Sequence, residues 1–322
     1  MKSVYCTVLS KPFVARALTL QKSISAMAPD AVFAFFCIDD ATAPFLRSLK
    51  LERARVFGPG DFETPELGAI KHVVTPTEYC WTCKSVALLH ALETLPESDW
   101  AIWVDSDMYA FSNPDTAFEC YPEAEVILTP HRFSTPEFLA FEPTVGRLNA
   151  GYAAFRNSAG GRRALLWWRD RCFEACSGAP ADGQYGDQKY LEKMASLFDN
   201  VVEADLAGLN CAPWNVLGTP IERGRDGIQV SNSPLLLYHF QGLKIIRRWL
   251  FDLYGSMHFP VPNNLRRLIY EPYLAAVTEQ IDKLSTCGNG KFVGIDGEFS
   301  GANGLFAALK RQTWSKNMKV RF

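Results

Sequence analysis

The sequence contains no apolar run of about 18 residues, the shortest length that spans a membrane, so we expect no transmembrane helix. It has no excess of charge of either sign: the net charge of the 322 residues is −2 and the pI is about 6.2, which argues against a general nucleic-acid-binding protein. The first residues lack the charged segment, apolar core and cleavage site of a secretory signal. These absences lead us to expect a cytoplasmic protein with no nucleic-acid partner.

Cysteine occurs nine times, an odd number without the regular spacing of a disulfide framework, so we expect reduced thiols. The chain also lacks internal repeats and low-complexity linkers. Hydrophobic residues make up 48% of the sequence and aromatic residues 13%, which is enough to bury the core of one large domain with an appendage.

Strand and helix patterns alternate through the first half of the chain. Strands are predicted at residues 4–9, 31–38, 54–57, 100–104, 125–129 and 150–156, and helices at residues 15–27, 43–49, 82–95 and 162–176. This alternation predicts an α/β fold with a mostly parallel sheet flanked by helices. Apolar residues between Trp249 and Tyr273 have helical spacing. We therefore predict a domain over residues 1–245 and a helical, basic C-terminal extension over residues 246–322.

Two aspartates, Asp105 and Asp107, follow the apolar strand 100–104. On an extended backbone residues i and i+2 point to the same side, so both carboxylates can face one point. That point is the carboxyl end of a strand, where open α/β sheets bind their ligands. Two oxygen ligands suit a divalent cation, and the cation suits a diphosphate. An ordinary strand-to-turn boundary is the structural alternative, since Asp is common in turns.

A late apolar strand carries His239 near its end and is followed by Gly242 and Lys244. A histidine at a strand end is more often structural, but after Asp105 and Asp107 it could add a nitrogen ligand to the same cation. Gly242 could let the backbone approach a phosphate, and Lys244 could offer that phosphate a positive charge. Imidazole beside two carboxylates suits Mn²⁺ better than Mg²⁺.

The motifs and their order resemble those of the GT-A-fold, nucleotide-sugar-dependent glycosyltransferases, nearest to the retaining galactosyltransferase and glycogenin-like group. The resemblance covers residues 1 to about 245 and rests on five short motifs in this order: the N-terminal strand, Val104-Asp105-Ser106-Asp107, Leu148-Asn149-Ala150-Gly151, Tyr185-Gly186-Asp187-Gln188 and His239-Phe240-Gln241-Gly242. Each motif is short and occurs in unrelated proteins, so the resemblance depends on their order along the chain. It implies a GT-A sheet and helices in the first 245 residues.

The resemblance also implies a role for each matching position. Mn²⁺ (or Mg²⁺) would be held by Asp105, Asp107 and His239. The donor would be bound by Thr7, Asp40, Lys84, Asp105, Ser106, Asn149, Gly151, Gly242 and Lys244. Asp187 and Gln188 would serve the catalytic step beneath the anomeric carbon. The family's lysine usually stands one position later than Lys244, and Arg247 is a substitute candidate.

The implied function is metal-dependent hexosyl transfer from a nucleotide-diphosphate sugar, expected to be UDP-hexose, to a saccharide or glycolipid acceptor. Such a reaction belongs to polysaccharide or lipopolysaccharide biosynthesis. The resemblance implies retention of the anomeric configuration. The alternative is an inverting enzyme in which Asp187 is the general base.

Other classes of function compete with this interpretation. Cys80 and Cys83 form a C-x-x-C at a helix start, which is typical of a thiol-redox site, but that function leaves the aspartates and His239 unexplained. A metal-dependent phosphohydrolase also uses aspartates and a histidine, usually with further ligands for a second metal. A non-catalytic sugar-binding module would need no nucleotide site.

The end of the chain, Gly304–Phe322, has five basic residues and no acidic one, interleaved with apolar residues. Such a segment could adsorb to an anionic membrane on its cytosolic face, because each basic residue near the surface contributes roughly 1 kcal/mol. A solvated tail is the alternative, since the apolar face is short.

Overall fold

The computed structural model of the protein describes residues 1–179, 183–254, 260–287, 292, 294–296 and 318–320. The basic segment 304–322 lies outside these residues except for its short strand at 318–320. Membrane contact by that segment stays a prediction.

The strands are β1 (Ser3–Leu9), β2 (Val32–Cys37), β3 (Ala54–Phe57), β4 (Trp100–Val104), β5 (Met108–Ala110), β6 (Val126–Pro130), β7 (Leu148–Arg156), β8 (Val201–Glu203), β9 (Ile221–Gly224), β10 (Gly227–Val230), β11 (Ser233–Pro234), β12 (Leu237–His239), β13 (Lys244–Arg247), β14 (Leu250–Asp252) and β15 (Met318–Val320).

The helices are α1 (Val14–Met27), α2 (Thr42–Ser48), α3 (Pro59–Phe62), α4 (Pro65–Ile70), α5 (Pro76–Thr94), α6 (Thr116–Cys120), α7 (Pro136–Leu139), α8 (Glu142–Val145), α9 (Ala159–Glu174), α10 (Leu191–Leu197), α11 (Pro213–Val216), α12 (Asn263–Leu265) and α13 (Glu271–Thr286). A turn of 3-10 helix precedes α1, and a π-helical turn over Arg266–Tyr270 joins α12 to α13.

A seven-stranded sheet in the order β3-β2-β1-β4-β7-β6-β8 forms the centre of the fold. Strand β7 is antiparallel to its neighbours β4 and β6, and the other pairs are parallel. The predicted α/β class, a mostly parallel sheet flanked by helices, is confirmed. The chain passes from β1 to β2 on one side and returns to β4 on the other, so the sheet has a switch point between β1 and β4, where such sheets bind ligands.

Alternate residues of the central strands face two separate cores, one on each side of the sheet. On one face Tyr5 and Ile102 belong to a core shared with α1 and α13. On the other face Val4 and Ala101 belong to a core shared with α5 and α9. Strands buried on both faces account for the continuous apolar runs in the sequence.

The C-terminal part differs from its prediction as a helical segment. Leu250–Asp252 is a strand that pairs with β13 on one side and β15 on the other, so the helical prediction for Trp249–Tyr254 was wrong. A helix does cover the residues from Asn263 to Thr286, and its Tyr273 packs in the same core as α1. The division at residue 245 stays a prediction.

No helix among the described residues combines the length and apolar character needed to cross a membrane.

Candidate active site

The two aspartates lie at the switch point of the sheet. Asp105 is the first residue after β4, and its backbone N–H donates to the carbonyl of Gly151 on β7 (3.0 Å). The chain turns at Ser106 and Asp107 into the short strand β5. β5 pairs antiparallel with β12, which sets His239 opposite Met108, and Phe240 donates its N–H to the carbonyl of Asp107 (2.9 Å). The pairing of β5 with β12 therefore brings His239, from the later part of the chain, beside the two aspartates.

The side chains of Asp105, Asp107 and His239 form one cluster. His239 Nε2 lies 3.1 Å from Asp107 Oδ1 and 3.7 Å from Asp105 Oδ2. One ligand atom from each residue lies within 4.8 Å of the others, a spacing that could hold a metal ion. Burial lowers the pKa of His239, but Asp107 and Asp105 outweigh burial and raise it. Burial raises the pKa of Asp107, and His239 outweighs burial and lowers it.

Lys84, on α5, is a buried cation between two carboxylates. Its Nζ lies 3.2 Å from Asp105 Oδ1 and 3.2 Å from Asp187 Oδ2, and it donates to the carbonyl of Ala150 (3.0 Å). Burial lowers the pKa of Lys84, but the two carboxylates outweigh burial and raise it, so the ammonium stays charged. Trp103 covers this group, with the ammonium 5.1 Å from its ring centroid.

Asp187 and Gln188 lie in a turn just before α10, and their side chains have different partners. Asp187 is buried with its carboxylate paired to Lys84, and burial raises its pKa more than Lys84 lowers it. Gln188 donates from Nε2 to the carbonyl of Val145 (2.7 Å), at the end of α8. The structure therefore joins Asp187 to the aspartate cluster through Lys84 and joins Gln188 to the segment between β6 and β7.

Asn149 and Gly151 begin β7 beside the aspartates. Asn149 Oδ1 accepts from the N–H of Gly151 (2.9 Å) and from Asn210 Nδ2 (2.9 Å). A Cβ on Gly151 would lie 2.8 Å from His239 Nδ1 and 2.7 Å from Asn149 Oδ1. Gly151 is thus the residue that leaves room for the imidazole.

Three residues beside the site, His131, Asn210 and Trp214, were not predicted from the sequence. His131 Nε2 lies 3.1 Å from Asn149 Nδ2, and burial lowers the pKa of His131 to about 4, so the ring is neutral and can accept that hydrogen bond. Trp214 packs edge-on against both His131 and His239. Asn210 has a left-handed backbone (φ 54°), which Asn adopts more readily than most residues. Each signal was a single polar or aromatic residue, too common to single out.

The remaining predicted donor-binding residues differ in their burial and in the elements that carry them. Thr7 is buried within β1, Ser106 is half-buried between the two aspartates, and Lys244 is half-buried at the start of β13. Gly242 has φ 83°, a left-handed conformation that favours glycine, in the turn between β12 and β13. Asp40 is exposed after β2 and takes no part in the ion-paired cluster of the described residues.

The charge and donor types of the cluster fit a divalent cation. Asp105 and Asp187 are paired with the Lys84 ammonium and Asp107 contacts His239, so the three carboxylates and the ammonium carry two net negative charges when His239 is neutral. Partly buried unbalanced charge is costly, and a divalent cation would balance it. Two carboxylates and an imidazole are ligands for Mn²⁺ or Mg²⁺, with nitrogen favouring Mn²⁺.

The C-x-x-C motif, Cys80 and Cys83, lies on α5 within four residues of Lys84, and both thiols are free. Burial raises the pKa of Cys80 to about 11 and raises that of Cys83 well above its ordinary value. A redox thiol needs a lowered pKa, so this setting favours packing over redox chemistry.

Comparison of sequences gives two relatives, both from Bacillus subtilis (strain 168). The uncharacterized protein YfnF is 33% identical over 253 residues, which are 76% of this chain and 83% of that protein. The uncharacterized protein YfnD is 27% identical over 286 residues, 88% of this chain and 91% of that protein. The chain belongs to the same family as YfnF. No family model matches the sequence.

The chain is also similar to solved structures of glycosyltransferases. The galactosyltransferase LgtC, in complex with donor and acceptor sugar analogs, is 17% identical with a TM-score of 0.47, and the match covers 84% of this chain and 100% of that chain. The apo-form glycosyltransferase GlyE from Streptococcus pneumoniae TIGR4 is 14% identical with a TM-score of 0.48, and the match covers 89% of this chain and 64% of that chain.

Proposed function

We propose that the protein is a metal-dependent glycosyltransferase that moves a hexose from UDP-hexose to a saccharide or glycolipid acceptor. The observation that carries the proposal is the cluster of Asp105, Asp107 and His239 at the switch point of the sheet, joined through Lys84 to Asp187. It combines a candidate cation site, a fixed positive charge and a buried carboxylate within one small region. The motif order along the sequence supports the same class.

Transfer requires stabilisation of the nucleoside diphosphate that leaves as the anomeric bond breaks. A bound Mn²⁺ or Mg²⁺, held by Asp105, Asp107 and His239, would supply Lewis-acid stabilisation of that negative charge. The Lys84 ammonium would add a fixed positive charge, which acts strongly because it is buried and already oriented by its partners. Gly242 and Lys244, at the turn after His239, would contact the diphosphate.

The Asp187 carboxylate would act on the sugar ring of the donor. The ion pair with Lys84 fixes the position of the Asp187 carboxylate beside the aspartate cluster. The pairing of Asp187 with Lys84 therefore supports a role in orienting and balancing the developing positive charge on the sugar ring. The motif resemblance favours retention over inversion.

Substitution of a metal ligand tests the proposal directly. Asp107→Asn removes a charged ligand but keeps the shape of the side chain, so Mn²⁺-dependent UDP binding should fall at least about tenfold, as for other loss of charged hydrogen-bonding partners. Binding is measured by calorimetry with and without Mn²⁺. Asp30→Asn is the matched control, because the Asp30 side chain is 89% exposed. Equal Mn²⁺-dependent UDP affinity in wild type and Asp107→Asn would refute the site.

Asp187→Asn tests the catalytic assignment. We expect kcat to fall by at least about 100-fold while donor affinity changes much less, which is the pattern of an interaction made mainly in the transition state. The product's anomeric configuration, measured by NMR, separates the two mechanisms: an α-linked product from an α-linked donor means retention. A β-linked product would assign Asp187 as the general base of an inverting enzyme, and a loss confined to donor affinity would make it part of the pocket wall.

A further inference from the structure

A second concave site lies away from the aspartate cluster. It is a cleft of about 760 Å³ between the turn joining β13 to β14 and one face of α13. Ile295 closes one side, and the side chains that give the cleft its chemistry are Arg247, Arg248, Trp249, Thr278, Glu279 and Asp282. Its volume is in the range of small-molecule binding sites.

Trp249 presents an unusual amount of aromatic surface to this cleft. Its side chain is 52% exposed, whereas Trp100 and Trp168 are completely buried in the core. Tryptophan has a large apolar surface, and leaving half of it in water forgoes hydrophobic stabilisation of the fold. An exposed indole in a concave, polar-rimmed site is a common feature of ligand-binding surfaces.

The rim of the cleft offers planar hydrogen-bonding groups on both walls. Arg248 Nη2 lies 2.6 Å from Asp282 Oδ1, so an ion pair connects the β13–β14 turn with α13. A guanidinium has five N–H donors and a carboxylate about four acceptor positions, so most of their capacity is left after this contact. Thr278 adds a hydroxyl oxygen, whose O–H is donated to the carbonyl of Leu274 (2.6 Å), and Glu279 adds a second carboxylate, which is paired with Lys22 and Lys283. Groups of this kind match the many hydroxyls of a sugar, while the apolar face of a pyranose ring packs on an indole.

The charges of the cleft are mixed, which argues against a polyanionic partner. Arg247 and Arg248 line it together with Glu279 and Asp282, and Glu279 is also paired with Lys22. An anionic membrane surface or a phosphate backbone attracts clusters of one sign and is repelled by interspersed carboxylates. A hydroxyl-rich ligand uses donors and acceptors together.

The cleft is close in the chain to the candidate donor site. β13 starts at Lys244, directly after the turn at Gly242, and ends at Arg247 on the rim of the cleft. Three residues of strand span about 10 Å, which is the length of two or three linked sugars. The cleft is therefore adjacent in the fold to the segment that follows His239.

We propose that this cleft binds the non-reacting sugars of a saccharide acceptor, with Trp249 as the stacking platform and Arg248 and Asp282 as hydroxyl partners. The proposal rests on the proposed glycosyltransferase function for the identity of the ligand as acceptor. Binding of a saccharide at Trp249 is a separate property of the surface and can be measured without donor or metal.

The experiment uses the full chain on an array of immobilised neutral and acidic oligosaccharides, followed by calorimetry with the best soluble ligand. Trp249→Ala should weaken that binding by at least about tenfold, the size of effect seen when a central aromatic contact is removed. Trp249→Phe, which keeps a ring, should recover most of the affinity. Phe141→Ala is the matched control, because Phe141 is an aromatic residue of similar exposure (56%) on another surface.

The outcomes separate this proposal from the proposed function. Equal saccharide binding by wild type and Trp249→Ala overturns the cleft assignment, as does a wild-type chain that binds no oligosaccharide on the array. Trp249-dependent binding to anionic vesicles instead of saccharides also overturns it. Loss of Mn²⁺-dependent UDP binding concerns only the donor site, since the saccharide measurement contains neither compound.

Discussion

Gly151 lies against the ring of His239 and the amide of Asn149, where a larger side chain would not fit. On another side Trp214 contacts the His239 ring edge-on, with 5.5 Å between ring centroids, and the pairing of β12 with β5 fixes the backbone of His239. A ring enclosed in this way can move only together with its neighbours. The position of the imidazole is therefore determined by residues that would not themselves bind a metal.

Gly151→Ala should displace His239 and weaken Mn²⁺ binding by about 10-fold to 100-fold, the range seen when residues that orient metal ligands are changed. Direct titration with Mn²⁺, followed by electron paramagnetic resonance, measures this affinity in the full chain. Gly68→Ala serves as the control, since nothing lies within 4 Å of a Cβ on Gly68. Unchanged Mn²⁺ affinity in Gly151→Ala would show that the imidazole is not held by this contact.

At the level of single residues, the common direction of the Asp105 and Asp107 side chains could be predicted because its signal is local. A buried strand that ends in Asp105 and Asp107 already orients two carboxylates to one side. The contribution of His131 could not be predicted in this way. Its neutral state and its contact with Asn149 depend on burial created by residues far away in the chain.

Helix α5 connects the surface of the protein to the site. Thr75 and Glu78 form a capping box at its N-terminus, and Lys84 lies two turns further on. Glu78 also accepts hydrogen bonds from the N–H of Gly178 (2.9 Å) and from Ser177 Oγ (3.1 Å), so it fastens the end of the α9 segment to α5. The helix begins at Pro76, six residues before the predicted start at Thr82, although its capping signal was present in the sequence.

Glu78 should give the fold a stability that depends on pH in the acidic range. The backbone N–H of Thr75, then that of Gly178, lower the pKa of Glu78 to about 2. Because the folded pKa lies below the unfolded value of about 4.3, the stabilisation is fully present above that value and is lost as pH falls toward about 2. Urea denaturation of Glu78→Gln should therefore differ from wild type most above about pH 5, with the difference closing on acidification.

Glu97→Gln provides the reference for that measurement, because Glu97 is an exposed glutamate after the same helix. Its difference from wild type should be small at every pH, as for most surface substitutions. A difference for Glu78→Gln that stays constant from about pH 6 to about pH 3 would contradict the assigned role of the hydrogen bonds to Glu78.

Over the whole molecule, long-range contacts fasten the C-terminal residues to the sheet domain. Arg16, buried on α1, pairs with Asp296 (2.9 Å) and also donates to the carbonyls of Leu243 (3.3 Å) and Gly294 (3.4 Å). Asp296 Oδ2 in turn accepts from the N–H of Ile245 (2.5 Å). One ion pair thus joins the first helix, the turn after His239 and a segment near the end of the described chain.

Arg16→Met should destabilise the protein by about 3 kcal/mol, because it leaves the Asp296 carboxylate largely buried without its cation. Chemical denaturation monitored by far-UV circular dichroism measures the change. Lys22→Met tests an ion pair of the same helix whose partners, Lys22 and Glu279, are about half exposed, and it should cost less than about 1 kcal/mol. Similar losses in the two variants would mean that burial of the Arg16 pair contributes nothing.

The fold was predicted correctly for elements that are determined by the local sequence pattern. The prediction failed for strands that depend on pairing with a distant part of the chain. The parallel strands were predictable because strands buried on both faces give continuous apolar runs. The strand Leu250–Asp252 was predicted to be helical, since its short apolar spacing fits either period and its hydrogen bonds come from β13 and from the distant β15. The same applies to the pairing of β5 with β12, which no local signal indicates.

That pairing of β5 with β12 also has a consequence for biogenesis. Asp105 and Asp107 leave the ribosome early, whereas His239 and the strand that positions it are made much later. A nascent chain can therefore form much of the parallel sheet while it holds only two carboxylate ligands, which bind a cation weakly in water. Because domains generally fold as units, the three candidate ligands come together only when the fold around them is finished. Under the proposed function, tight binding of a metal ion would therefore distinguish a completely folded molecule from a partly synthesised one.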